Sequence, residues 1–207
     1  GWLRLLHPVR GVGQLRLMAL YERAFSRHGC TIAQVLLTHD ALAARERHLN
    51  ARLALGNLLR HRIIPIINEN DTVAVDEIKF GDNDLLAALV ALLVDADLLI
   101  LLTTAEGLQA RQPDGTLQRV PWLPSVTAAH LKMVFGSANQ LSTGGMASKL
   151  KSAHNVARAG IPVVIADGRV AGNVVRVVSG DDVGTLIGYP NRARCWTARD
   201  RWIGFFH

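Results

Sequence analysis

Residues 68–84 read NENDTVAVDEIKFGDND, and they separate two apolar runs, IIPII at 63–67 and LLAALVALLV at 85–94. The stretch holds six carboxylates and three asparagines. IIPII has the length and β-branched content of a strand buried on both faces, although Pro65 argues against a central position in a sheet. Residues 85–95 are apolar all round, as in a helix lying under other elements. A buried strand, a polar connection and a buried helix are parts of an α/β fold with a parallel sheet. In such sheets ligands gather beyond the carboxyl ends of the strands.

On that geometry Asp71 stands just past a strand end. The turn Gly81-Asp82-Asn83-Asp84 leads into the helix, where Asn83 or Asp84 can cap the N-terminus. A turn and a cap occupy only one or two of these polar groups. Two polar clusters at neighbouring element ends can instead converge on one ligand. Aspartate pairs with an ammonium group, and asparagine both donates and accepts, so the set suits a substrate with an amine and a carboxylate. Residues 73–80 would form a flap over it. Acidic clusters also bind Mg²⁺ directly, which is the competing functional reading.

The pattern extends in both directions. Residues 15–27 space Leu15, Met18, Tyr21 and Phe25 as an amphipathic helix, ended by Gly29. TIAQVLLT at 31–38 reads as a strand. Residues 40–60 read as a helix with Leu42, Leu49, Leu53 and Leu58 or Leu59 toward the core. DLLILLT at 97–103 is a second buried strand, and Pro113-Asp114-Gly115 marks a turn. A helix over 125–135 capped by Ser125, a helix over 146–159 closed by Gly160, and a strand over 161–166 complete the alternation. The predicted fold class is α/β: a three-layer αβα sandwich with a mainly parallel sheet.

A second constellation is Ser142-Thr143-Gly144-Gly145-Met146-Ala147-Ser148-Lys149. A glycine pair lets backbone approach a ligand closely, and a helix starting near Met146 would offer free N–H groups to a phosphate. Lys149 would then lie in the first turn, within reach of a transferring phosphoryl group. The bland alternative is a glycine-rich loop beside an ordinary surface lysine. A Walker A loop is absent, and Gly11-Val12-Gly13-Gln14 lacks the third glycine of a dinucleotide fingerprint. Neither a G-x-S-x-G elbow nor an H-E-x-x-H motif occurs.

Composition narrows the class. The chain has 207 residues, of which 49% are hydrophobic and 19% charged, enough apolar content for a sizeable core. Its net charge of +6 fits nucleic acid, an anionic substrate or only a basic coding bias, and no dense basic run with interleaved aromatics favours the first. Cys30 and Cys195 show neither disulfide density nor metal spacing, and no two of the eight histidines lie three or four apart. The apolar run at 85–94 is too short to span a bilayer, and no secretory signal opens the chain. The expectation is a soluble, cytoplasmic protein.

Taken in order, INENDTVAVDEIKFGDND, DLLILLTTAEGL, STGGMASKLKSAHNVARAGIPVVIADG and VGTLIG resemble the glutamate 5-kinases of the amino acid kinase superfamily. GVGQLRLMALYERAF and ARERHLNARLALGNLL extend the resemblance to about residues 11–187. It implies ATP- and Mg²⁺-dependent phosphorylation of the L-glutamate γ-carboxylate on the route to proline. By position it implies glutamate binding by Asp71 and Asn83, and organisation of the catalytic lysines by Asp84. Nucleotide binding falls to Thr103 and Thr104 and to Thr143, Gly144, Gly145, Met146, Ala147, Ser148 and Lys149, with Lys149 the transition-state lysine. A homo-oligomer and proline feedback are also implied.

The departures are specific. The family's N-terminal lysine-glycine-serine loop and its serine-glycine-alanine segment do not occur in these residues, and Thr104 stands where many relatives have aspartate. The expected organisation is a partial kinase domain over 1–188, incomplete at its N-terminus. Residues 189–207 form a linker or the start of a C-terminal PUA domain that is not included. Rival readings are a sister kinase with another substrate, a non-catalytic binding or regulatory protein of the same fold, and a nucleic-acid module.

Overall fold

The computed structural model describes residues 3–38, 44–70, 83–135 and 140–189. The chain divides into two compact units, Gly1–Leu86 and Ala87–His207.

In the first unit a long helix, α1 (Leu3–Ser26), ends at Gly29, whose φ of 67° reverses the chain. Met18 and Phe25 are half-buried, but Leu15 is 74% exposed and Tyr21 is exposed too. The single inward stripe expected from 15–27 is therefore not formed. Leu15, Leu17 and Leu20 are all exposed, so apolar residues are spread too widely for spacing alone to choose a face. Strand β1 (Thr31–Leu37) pairs in parallel with β2 (Ile63–Glu69), in register from Thr31 opposite Ile63 to Leu37 opposite Glu69. Pro65 lies opposite Ala33, and among the described residues β2 pairs only with β1, an arrangement that accommodates the missing N–H.

Helix α2 (Arg45–Arg60) supplies the crossover that parallel strands require. Leu55 is fully buried, whereas Leu49 and Leu53 are 47% and 62% exposed. The inward face predicted through Leu49 and Leu53 is thus the wrong one. Leucines at 49, 53, 55, 58 and 59 cover more than half the helix circumference, and only one side can meet a sheet.

Helix α3 (Asn83–Val94) follows, with Leu86, Ala88, Leu89, Ala91, Leu92 and Leu93 all buried, as its uniformly apolar sequence required. The second unit is built on a four-stranded sheet. Its members are β3 (Leu99–Thr103), β6 (Trp122–Leu123), β7 (Val163–Asp167) and β8 (Thr185–Ile187), in the order β3-β7-β8-β6. The β3–β7 and β6–β8 pairs are parallel; β7–β8 is antiparallel. Between them β4 (Gln109–Arg111) and β5 (Leu117–Arg119) form an antiparallel hairpin across the turn at Gly115. The Asp114 carboxylate accepts from the Thr116 N–H at 2.9 Å and from its hydroxyl at 2.6 Å, closing that turn.

Both faces of the sheet are covered. Val163 and Ile165 of β7 pack with Leu101, Ile187 and residues of α3, of α4 (Ala128–Phe135) and of α5 (Gln140–Arg158). The alternate residues Val164 and Ala166 face the other way, onto Val177 of α6 (Asn173–Ser179), with Ile100 and Leu186 beside them. This period-two alternation makes helix, sheet and helix layers around β7. Helix α4 starts later than its sequence suggested. Thr127, not Ser125, exchanges hydrogen bonds with His130 at its head. Helix α5 closes as expected: the N–H of Ile161 bonds the Val156 carbonyl at 3.3 Å and that of Gly160 (φ 88°) bonds Ala157 at 3.0 Å, a Schellman motif.

Candidate active site

The carboxyl end of β2 presents Asn68, Glu69 and Asn70. The Asn70 N–H reaches the Leu37 carbonyl at 2.8 Å, so the β1–β2 ladder runs to this point. The Asn68 side-chain amide donates to Gln14 Oε1 of α1 at 2.8 Å, and its Oδ1 accepts from the Glu69 N–H at 2.9 Å. Asn68 is thereby held against the first helix. Gln14 is 54 residues away in sequence, and nothing local in GVGQ marks it as a partner of this strand end. Asp71 and the predicted flap at 73–80 lie outside the described residues. Asn83 opens α3 and is exposed; Asp84 follows in its first turn, half-buried, where a carboxylate is favoured by the helix dipole.

In the second unit Thr103 ends β3 and Asp167 ends β7, and the two are register partners. The Gly168 N–H donates to the Thr103 carbonyl at 2.9 Å. Thr104 is exposed in the bend that follows. A polar cavity of about 190 Å³ opens at this end of the sheet, lined among others by Glu106, Arg119, Asp167, Asn173, Arg176 and Asp182. Asp167 accepts from Arg169 three times: from its N–H at 2.9 Å, Nε at 3.0 Å and Nη2 at 2.7 Å. These bonds hold its carboxyl well below the usual carboxylate range, at about 2. Asn173 donates to the Asp167 backbone carbonyl at 2.9 Å, tying α6 to the strand end. Across the cavity Arg119 donates to Asp182 at 2.7 Å and to the Gly184 carbonyl, lowering the Asp182 pKa. Arg176 pairs with Asp181 at 3.1 Å.

Sequence reading found Thr103 but none of this surrounding network. Its members come from the β3–β4 connection, β5, β7, α6 and the connections on either side of α6. They meet only because β3 and β7 are sheet neighbours while distant in the chain.

The glycine-rich constellation requires a correction. Helix α5 begins at Gln140, not near Met146, so Thr143, Gly144 and Gly145 are helical and the amides of 146–149 belong to the helix body. Lys149 is consequently well past the first turn, and a free-amide phosphate cradle at Met146 is not present. Two glycines in a helix cost about 1 kcal/mol each, and burial on the same helix offsets this. Met146 packs against the core, and Ala147, Leu150 and Ala153 are 3%, 0% and 0% exposed. Ser148 and Lys149 are half-buried on its flank. Among the described residues no group of three His, Cys, Asp or Glu gathers to hold a metal ion, and no helix is long and apolar enough to cross a membrane.

A parallel-stranded α/β fold with polar groups gathered at strand ends defines a class, and comparison gives it a name. The pattern of the Amino acid kinase family matches residues 7–167, and the chain belongs to that family. Within it the chain is similar to two bacterial proteins named glutamate 5-kinase. That of Trichlorobacter lovleyi is 46% identical over 194 residues, covering 90% of this chain and 51% of the relative. That of Moorella thermoacetica is 47% identical over 198 residues, covering 94% and 51%. The chain thus spans about half the length of the curated relatives it matches. Among solved structures, isopentenyl phosphate kinase superposes with a TM-score of 0.56 at 17% identity, over 83% of this chain and 65% of that one. UMP kinase from Bacillus anthracis does so at 0.50 and 17%, over 77% and 59%. These two bear on the fold alone.

Proposed function

We propose that the protein phosphorylates the γ-carboxylate of L-glutamate with ATP, releasing ADP and γ-glutamyl phosphate, the first step toward proline. The observation that carries this reading is the 46% identity to a glutamate 5-kinase across 90% of the chain, which includes both polar clusters of residues 68–84.

The chemistry asked of the residues is modest. A γ-carboxylate is already ionised at neutral pH and needs no general base to become a nucleophile. Two anions must be brought together and the charge on the transferring group neutralised. Asp71 pairs with the substrate ammonium and Asn83 with its α-carboxylate. Asp84 orients the cationic groups, and Lys149 supplies positive charge to the phosphoryl group. Thr103, Thr104 and residues 143–149 bind the nucleotide. Position supports Thr103 in particular, since it ends a parallel strand beside a polar cavity. The described residues build no protein-only metal cage. Mg²⁺ would accompany the triphosphate and neutralise charge on the transferring phosphoryl group. A cytoplasmic homo-oligomer sensitive to proline completes the proposal.

The test is ADP release coupled to trapping of the acyl phosphate as a hydroxamate. Release that depends on L-glutamate and is absent with L-aspartate, N-acetylglutamate, carbamate or UMP supports the proposal. Glutamate-independent turnover, or turnover with another acceptor only, refutes it. Calorimetric binding of ATP and glutamate without any product would identify a binding protein instead.

A further inference from the structure

Helix α1 turns a glutamine inward although leucines stand beside it. Of residues 13–26 only Gln14, Met18 and Phe25 are not exposed, and steps of four and seven put these three on one face. Leu15, Leu17 and Leu20 stay outside. Gln14 lies against the carboxyl end of β2, where its Oε1 accepts from the Asn68 side-chain amide at 2.8 Å. Its Nε2 is shielded from solvent and has no hydrogen-bond partner among the described residues. A buried donor that makes no bond costs free energy, so an apolar side chain of the same length would suit this face better. Such a breach of the local pattern points to a functional constraint.

The backbone fixes which end of the amide is left over. The Glu69 N–H donates to Asn68 Oδ1 at 2.9 Å, so Asn68 offers its Nδ2 to α1. Gln14 must meet that nitrogen with Oε1, and Nε2 is the end that remains. Turning Gln14 round would set two amide nitrogens against each other. A ligand that completes Nε2 must therefore bring an acceptor, which an ammonium group cannot be. The two carboxylates of glutamate are acceptors of the stronger, charge-assisted kind. The group lies where ligands of such sheets gather, at the carboxyl end of a parallel strand.

We propose that Gln14 is a substrate-binding residue: its Nε2 donates to a carboxylate oxygen of bound L-glutamate, and Asn68 is the positioning residue that aims it. The inference rests on the kinase reading. Its test is calorimetric titration of the full chain with L-glutamate and, separately, with ATP. Gln14→Met keeps the length and helix propensity of the side chain and removes the donor. The Kd for glutamate should rise about tenfold or more, while the Kd for ATP stays within about twofold of the wild type and shows that the fold is kept. Gln14→Glu sets an anion against the substrate carboxylate and should weaken glutamate further, again with ATP little changed. Asn68→Ala should weaken glutamate as well. Added to Gln14→Met it should cause no further loss, because Asn68 acts through Gln14. Wild-type glutamate affinity in Gln14→Met and Gln14→Glu, equal losses of glutamate and ATP in both, or additive losses in the double variant would overturn the assignment and leave the kinase reading standing. A wild-type chain that binds ATP but no L-glutamate would overturn both.

Discussion

Thr185 carries no charge, yet it ties β8 to the residues that flank the β4–β5 hairpin. Its hydroxyl accepts from the Leu108 N–H at 2.8 Å and donates to the Val120 carbonyl at 2.7 Å, and the residue is fully buried. Replacing it with valine keeps the shape and strands both backbone groups. The expected loss is roughly 2–4 kcal/mol, read as a lower urea midpoint, with serine recovering most of it. Next to it Gly184, at φ 72°, approaches β7 so closely that a Cβ would lie 2.2 Å from the Ile165 carbonyl oxygen. Together these contacts give Gly184 and Thr185 a structural role at the head of β8. Lys149 is the contrasting residue. If it supplies charge to the phosphoryl group, Lys149→Met should lower kcat about 10²-fold or more while changing KM for glutamate little. A variant with unaltered kcat would remove Lys149 from the chemistry.

At the scale of elements, α5 and α2 show where local patterns mislead. Gly144-Gly145 has the composition of a phosphate loop, but the pair is helical because Met146, Ala147 and Leu150 are buried on the same helix. Gly145→Ala should therefore raise stability by about 1 kcal/mol, since the new methyl meets nothing within 4 Å. If the pair also approaches the nucleotide, the same variant should raise KM for ATP. Thermal melts and initial rates on one preparation separate the two effects. In α2 the leucine spacing announces a helix but not its inward side. The elements that were legible are those with one dominant local constraint: the uniformly apolar α3, the Asp114-Gly115 turn and the Gly160 cap.

For the whole molecule, acid should act in two windows. Burial, and next the nearby Arg158, push the His154 pKa below its ordinary 6.5 despite the Val126 carbonyl that raises it. The folded state therefore resists protonation, and this contribution is lost as pH falls through about 6.5. Asp167, lowered from 3.8 to about 2 by its bonds to Arg169, stabilises the fold above about pH 4 and loses that effect as pH drops toward 2. Asp182 and Asp114 shift in the same direction, through Arg119 and Thr116 respectively. Urea midpoints measured from pH 8 to 2 should show both declines. His154→Phe should remove the first, and Asp167→Asn should lower the plateau and flatten the second.

Residues 68–84 and their apolar neighbours establish an α/β order of elements, because a continuous apolar run of strand length or of helix length can be buried in few ways. They also place Asn68 at a strand end and Asn83-Asp84 at a helix start, since these follow from position within single elements. The meeting of Thr103 with Asp167, the clasp of Asn68 by Gln14, the start of α5 at Gln140 and the outward turn of Leu53 came from packing alone. Each depends on which surfaces meet across tens of residues, and short-range periodicity carries no record of a partner that distant.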